Sequence, residues 1–367
     1  MTGSGLRPAI IFSLAAFAVS RIVVQAAAVV AAYHGAAPQL IAQDPSALLA
    51  PWMHWDSTYH LEIAQHGYPV SQPKLLAFPP LPWTLDGLLA SVLHISELAA
   101  AMLVSAVAEI VALVVLYRLA ERDLGRLGAR FAVVALLSFS SAFFLAAPYA
   151  EPFQLACLCG SFLAARNRRW TFAGILVALA TLSKLWSIVA VVPLLVECWS
   201  SGVTRRRMIG ASLAVVLPPV LAVAGFCAFA WRQFGDALLP ISVERLWGKA
   251  LAPPWVAVAQ GVQAVVGRHL VLGLDLVALV LITAAAVYVF LGVRRSYGVL
   301  LGVSALALAS TTELTSTNRF ALAAFPLFIA VAHVALQRRA VLVVWCAAGV
   351  PLQLLLVSHF ATGTWAG

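Results

Sequence analysis

The chain has 367 residues, of which 63% are hydrophobic and 10% charged, and its mean hydropathy is +0.97. A soluble domain carries about 25% charged residues, so this composition excludes a soluble enzyme and describes a polytopic membrane protein. The formal net charge of +9 does not point to nucleic acid, because the basic residues sit in short clusters between apolar runs, where topology signals lie.

In chain order, apolar runs predict spans near 8–33, 97–118, 129–147, 151–165, 171–183, 186–199, 208–232, 269–292, 297–312, 320–336 and 340–360. These make about eleven transmembrane helices in an all-α protein, since helices and closed barrels alone satisfy the backbone in lipid and no period-2 alternation marks a barrel. Arg7, Arg118/Arg122/Arg126, Arg166/Arg168/Arg169, Arg205/Arg206/Arg207, Arg294/Arg295 and Arg338/Arg339 then fall on one side. The positive-inside rule makes that side, and the N-terminus, cytoplasmic.

The same alternation requires that 78–95, which opens with "FPPLP", lie at the interface rather than cross. A first outer loop is expected at about 34–96 and a second at about 233–268, within one integral membrane domain, 1–367. Cys157, Cys159, Cys198, Cys227 and Cys346 fall in apolar spans without metal-ligand spacing and read as buried hydrophobes. No metal site is expected.

Charge that topology does not explain gathers on the outer side: Asp56, Glu62, Lys74, Glu151, Lys184, Glu244, Arg245, Glu313 and Arg319. In "HWDSTYHLEIAQHGY" a helix puts Asp56, Tyr59, His60 and Ile63 on one stripe, with Trp55, Glu62 and His66 on neighbouring faces. The plain reading of this stretch is an interfacial anchor with Asp56 as a cap. Lys184 and Arg319 each end an apolar span, where a cation suits either a phosphate at membrane depth or lipid headgroups. Arg21, inside the first span, has the same two readings. Glu151, after Pro148, reads as an acid at a helix start.

The order "HWDSTYHLEIAQHGYP", "FPPLP", "FFLAAPYAEPF", "LATLSKLWSIVAVVPLLVE" and "STNRFALAAFPLFIAVA" resembles the phosphatidylinositol-glycan class V-like (PIG-V-like) mannosyltransferases of the membrane-embedded GT-C glycosyltransferases. Its most specific part is Trp55, Asp56, Ile63, Ala64, Gly67 and Tyr68. The aromatic spacing after the acid is shifted, and Lys184 stands where that family commonly has arginine.

The resemblance implies a GT-C-like, inverting transfer of mannose from polyprenyl-phosphate mannose to a glycan or glycolipid hydroxyl outside the membrane. It implies Asp56 as the catalytic base, and Lys184 and Arg319 on the donor phosphate. Trp55, Tyr59, His60, His66 and Tyr68, together with Tyr149, Glu151 and Asn318, would contact substrate. The partners are then the lipid-linked donor, the acceptor and membrane lipid, with no nucleic acid and no further cofactor. Abundant arginine and alanine suggest a bacterial plasma membrane. The competing class is a multispan lipid or sugar transporter or flippase, which commonly shows repeated halves with broken helices at corresponding positions. No such symmetry is visible in this sequence.

Overall fold

A computed structural model describes residues 6–33, 44–202 and 204–367; the start of the first outer loop, 34–43, lies outside the described residues. The helices longer than one or two turns are α1 (Leu6–Tyr33), α2 (Asp56–His66), α3 (Leu81–Leu93), α4 (Glu97–Leu137), α5 (Glu151–Arg166), α6 (Trp170–Thr181), α7 (Val191–Trp199), α8 (Arg205–Phe234), α9 (Pro254–Val266), α10 (Leu270–Gly292), α11 (Arg295–Ala309), α12 (Pro326–Gln337) and α13 (Ala340–Ala361). Short helical turns join several of them, and one isolated bridge, Leu251 with Thr311, is the sole β pairing among the described residues.

Each expected apolar run contains helix, but the count of eleven crossings is not supported by helix length. Five helices are long and apolar enough to cross a membrane, α1, α4, α8, α10 and α13, with a sixth if the pair Thr317–Ala323 and Pro326–Gln337, bent by 77°, is one broken span. The others have physical stops. The expected spans 97–118 and 129–147 are two helical stretches of α4 separated by a kink at Gly125 (φ 71°, ψ −178°), and the second ends at Leu137, short of the expected 147. Helices of 12 to 16 residues such as α5, α6 and α11 reach only about 18 to 24 Å at 1.5 Å per residue, short of the roughly 30 Å hydrocarbon core. Helix α3, within 78–95, is 13 residues long, about as short as α6 in the expected span 171–183. The expected second outer loop is largely helical, holding α9 and two shorter turns.

The chain falls into two compact units, one of Met1–Gly67, Pro82–Pro152 and Val331–Gly367, the other of Tyr68–Leu81 and Phe153–Ala330. In the first, α4 starts at Ser96, whose hydroxyl accepts from the Ala99 N–H at 3.2 Å. Helices α2 and α3 meet so closely that a Cβ on Gly87 would collide with the Ala64 carbonyl oxygen. In the second, Gly174 of α6 gives the same close approach to the Ala214 carbonyl of α8. Glu197, at the end of α7, accepts from Arg294 Nη1 at 2.8 Å and from the Ser296 hydroxyl at 2.7 Å, with Arg166 Nε at 3.9 Å. That network ties α5, α7 and α11 together and accounts for two of the arginines that the charge pattern had explained by topology alone.

Candidate active site

In the first unit the site grows from a strained residue. Trp55 precedes α2 with φ 58° and ψ −129°, a region that a bulky side chain rarely adopts and that persists only when its surroundings hold it. Trp365 holds it here, stacking edge-on at 4.9 Å, while the Trp55 Nε1–H donates to the Thr364 carbonyl at 3.3 Å. The consequence is that α2 begins at Asp56, which is half-buried. Asp56 is therefore the first helical residue rather than the cap, at the end of the helix dipole that favours an acid.

One turn on, His60 is buried, lies flat on Trp83 at 3.5 Å and meets Tyr149 edge-on at 5.2 Å. Its Nδ1 donates to the Pro148 carbonyl at 3.0 Å, which fixes the tautomer. Tyr59 is half-buried on the same helix, whereas His66 stands exposed at its far end. Tyr149 and Glu151 are buried, the latter as the first residue of α5.

The turn that carries them is pinned by Arg21. Its Nε donates to Glu109 Oε2 at 2.8 Å, Nη1 to the Ala146 carbonyl at 2.9 Å and Nη2 to the Leu145 carbonyl at 3.0 Å. Arg21 thus links α1 and α4 to the backbone at Leu145 and Ala146, ahead of Tyr149 and Glu151.

Asp86, on the 13-residue α3, is 3% exposed, and its Oδ1 has no hydrogen-bond partner among the described residues. Burial pushes its carboxyl up to about 8. Asp86 lies inside the 78–95 stretch that the sequence places at the interface. Its position one turn after Trp83 at the heart of this unit was not visible there.

In the second unit three cations converge on one ring. Lys184 Nζ lies 4.1 Å from the Phe320 centroid, Arg319 Cζ 5.1 Å and Lys249 Nζ 5.8 Å. The structure thus brings together the two cations that the sequence singled out and adds a third that it missed. Arg319 is 5% exposed, and Lys249 donates to the Thr315 carbonyl at 3.0 Å. Burial lowers the Lys249 ammonium below its ordinary value; Glu244 opposes this, Arg319 adds to it, and Glu313 and Asp275 oppose it.

The backbone beneath the cluster is set by Asp275, buried in α10, whose Oδ1 accepts from the Asn318 N–H at 2.7 Å. Ser316, at φ 72°, turns the chain into the helical turn Thr317–Phe320. Asn318 is itself buried. Tyr68 is buried against Phe226 and Phe229, and its hydroxyl donates to the Phe78 carbonyl. An acid inside an otherwise apolar run, "LVLGLDLVALV", was the signal that could have found Asp275. No comparable signal marked Lys249. Among the described residues no group of three or more His, Cys, Asp or Glu side chains is arranged to hold a metal.

Comparison with known proteins places these units in context. A family model described as dolichyl-phosphate-mannose-protein mannosyltransferase matches residues 78–231, less than half of the chain. No curated protein matches the sequence. Among solved structures, the apo oligosaccharyltransferase of Archaeoglobus fulgidus is 12% identical with a TM-score of 0.50, covering 96% of this chain and 56% of its own. The archaeal oligosaccharyltransferase AglB of the same organism, in complex with an inhibitory peptide and a dolichol-phosphate, gives 11% identity, a TM-score of 0.48 and the same coverages, 96% and 56%. ArnT of Cupriavidus metallidurans, bound to undecaprenyl phosphate, gives 14% identity and a TM-score of 0.35, covering 90% of this chain and 78% of its own. The chain spans little more than half the length of the first of these, and at such identities the likeness is one of fold. The protein is an integral membrane protein with a GT-C-like helical fold.

Proposed function

We propose that the protein is a glycosyltransferase that takes a sugar from a polyprenyl-phosphate carrier, and that the sugar is mannose, as the PIG-V-like sequence pattern implies. The observation that carries this reading is the convergence of Lys184, Lys249 and Arg319 on Phe320. Three cations gathered around an apolar ring suit a phosphate joined to a hydrocarbon tail. The family-model match supports the same donor class.

In the proposed reaction an acceptor hydroxyl oxygen bonds to the anomeric carbon as the bond from that carbon to the phosphate oxygen breaks. The hydroxyl proton passes to the Asp56 carboxylate and the bonding pair leaves with the polyprenyl phosphate, whose growing charge the cations stabilise. Inversion at the anomeric carbon follows from a single displacement. The acceptor is a glycan or glycolipid on the outer side of a bacterial plasma membrane, with the N-terminus cytoplasmic.

The test is transfer of radiolabelled mannose from polyprenyl-phosphate mannose to a membrane lipid extract by wild type and Asp56→Asn at matched expression. The expected result is label in the lipid or glycan fraction with wild type, and a loss of about 10²- to 10⁴-fold in the variant. Equal transfer by both would remove Asp56 from the mechanism. Movement of intact donor across sealed vesicles without transfer would favour the transporter.

A further inference from the structure

Helices α6 and α8 both begin amid arginine: Arg166, Arg168 and Arg169 precede one, and Arg205, Arg206 and Arg207 open the other. Neither helix has an acid in its first turn or a side-chain cap. A helix N-terminus presents unsatisfied N–H groups and the positive end of the dipole, and acids are what stabilise it. Here two such ends carry positive side chains instead. The positive-inside rule accounts for basic residues on this side but not for a cavity among them.

The structure builds one. Beside the close crossing of Gly174 and Ala214 lies a surface-open cavity of about 660 Å³, lined by the exposed side chains of Arg168, Arg169, Arg207 and Phe172, by Trp170 and by Gly210. That volume lies within the range of ligand sites. Arg168 is held at φ 57°, with its Nη2 donating to the Ser201 carbonyl at 3.2 Å. The acid closest in sequence on α7, Glu197, is committed to Arg294 and Ser296. Among the described residues no carboxylate pairs with Arg168, Arg169 or Arg207. Phe172, 52% exposed, extends the apolar wall outward.

Three guanidinium groups, two helix N-termini and an aromatic wall are the features that recognise a phosphodiester carrying acyl chains. We propose that this cavity binds the headgroup of an anionic phospholipid, its phosphate held by Arg169 and Arg207 and an acyl chain lying along Phe172. The site is independent of the proposed transfer reaction, because it lies at the opposite end of α6 from Lys184.

Gly210 gives a clean test. A Cβ added there meets nothing within 4 Å, so Gly210→Leu enters the cavity without removing a charge. Delipidated full-length protein in neutral detergent is titrated with dioleoylphosphatidylglycerol or dioleoylphosphatidylcholine and read by native mass spectrometry, with inorganic phosphate as a competing soluble anion. Wild type is expected to retain one phosphatidylglycerol at least tenfold more tightly than phosphatidylcholine, and millimolar phosphate should not displace it. Both Gly210→Leu and the double variant Arg169→Gln/Arg207→Gln should lose that preference, with helicity by circular dichroism confirming the fold. If the double variant does not fold, Gly210→Leu decides. Undiminished preference in folded Gly210→Leu, equal retention of the two lipids by wild type, or displacement by phosphate would each overturn the proposal.

Discussion

The two units assemble their candidate groups in opposite ways. In the first, Asp56 and His60 sit one turn apart on a single short helix, and what surrounds them is rings and backbone carbonyls: Trp83, Tyr149, Pro148 and the Trp55–Trp365 pair. In the second, Lys184, Lys249 and Arg319 come from three distant stretches and meet only at Phe320. A local site depends on the accuracy of one helix and its buttresses. A convergent one depends on whether several connections fold as a set, so the two should fail differently when perturbed.

The largest effect is expected at the buttress of the first unit. Arg21→Met would leave Glu109, whose side chain is 2% exposed, as an unpaired buried acid and release the Leu145 and Ala146 carbonyls. Removing one partner of a buried pair typically costs about 3 to 5 kcal/mol. Thermal unfolding in detergent should show that loss, and Arg21→Met/Glu109→Leu should recover much of it, since an apolar replacement of both partners leaves no stranded charge. If the double variant is no better than the single, the carbonyl contacts rather than the ion pair hold the turn.

Next comes the pH dependence that Asp86 imposes on the same unit. Its carboxyl titrates near 3.8 in an unfolded chain and at about 8 when folded, so the folded state holds a proton that the unfolded state has released across that interval. Stability contributed by this group falls as pH rises from 3.8 to about 8 and is level on either side. Asp86→Asn should flatten the slope, raising the melting temperature at pH 8 while changing it little near pH 4. A slope unchanged in the variant would assign the pH dependence to other groups.

A smaller and more selective effect is expected in the second unit. Lys249→Met keeps the length of the side chain and removes one of three cations, so transfer from the lipid-linked donor should fall about 10- to 100-fold, less than a whole catalytic group is worth. Melting temperature should hold or rise, because burial already disfavours this ammonium. A variant with normal transfer would confine Lys249 to a structural bond with Thr315.

These contrasts follow what the sequence made legible. Asp56 and His60 could be read because a helical period places them together within a few residues. Lys184 and Arg319 stood out because a cation at the end of an apolar run is conspicuous, yet nothing in the sequence said that they share a ring. Lys249 was lost in a loop rich in tryptophan and proline, whereas Asp275 carries a signal, an acid inside an apolar run, that marks it without naming its partner. The all-helical membrane fold followed from composition. The number of crossings did not, because Gly125 and the bend between Ala323 and Pro326 join or break helices in ways that hydropathy cannot resolve. The unit boundaries fall next to helices or inside them, where no linker composition marks a change.

The smallest expected effect concerns the seam between α2 and α3, and it asks how accurately the local site must be held. At Gly87 a single methyl would meet the Ala64 carbonyl, which belongs to the backbone of α2 and has no side-chain freedom with which to yield. Gly87→Ala should therefore displace α2 relative to α3 and cost about 1 to 3 kcal/mol, the usual range for overpacking, even though alanine is the better helix former by about 1 kcal/mol. Because His60 on α2 stacks on Trp83 of α3 across this seam, a change in tryptophan fluorescence should accompany the loss of stability. Unchanged fluorescence with unchanged melting temperature would mean that the seam absorbs the methyl, and that the stacked pair, rather than the backbone approach at Gly87, sets the position of Asp56.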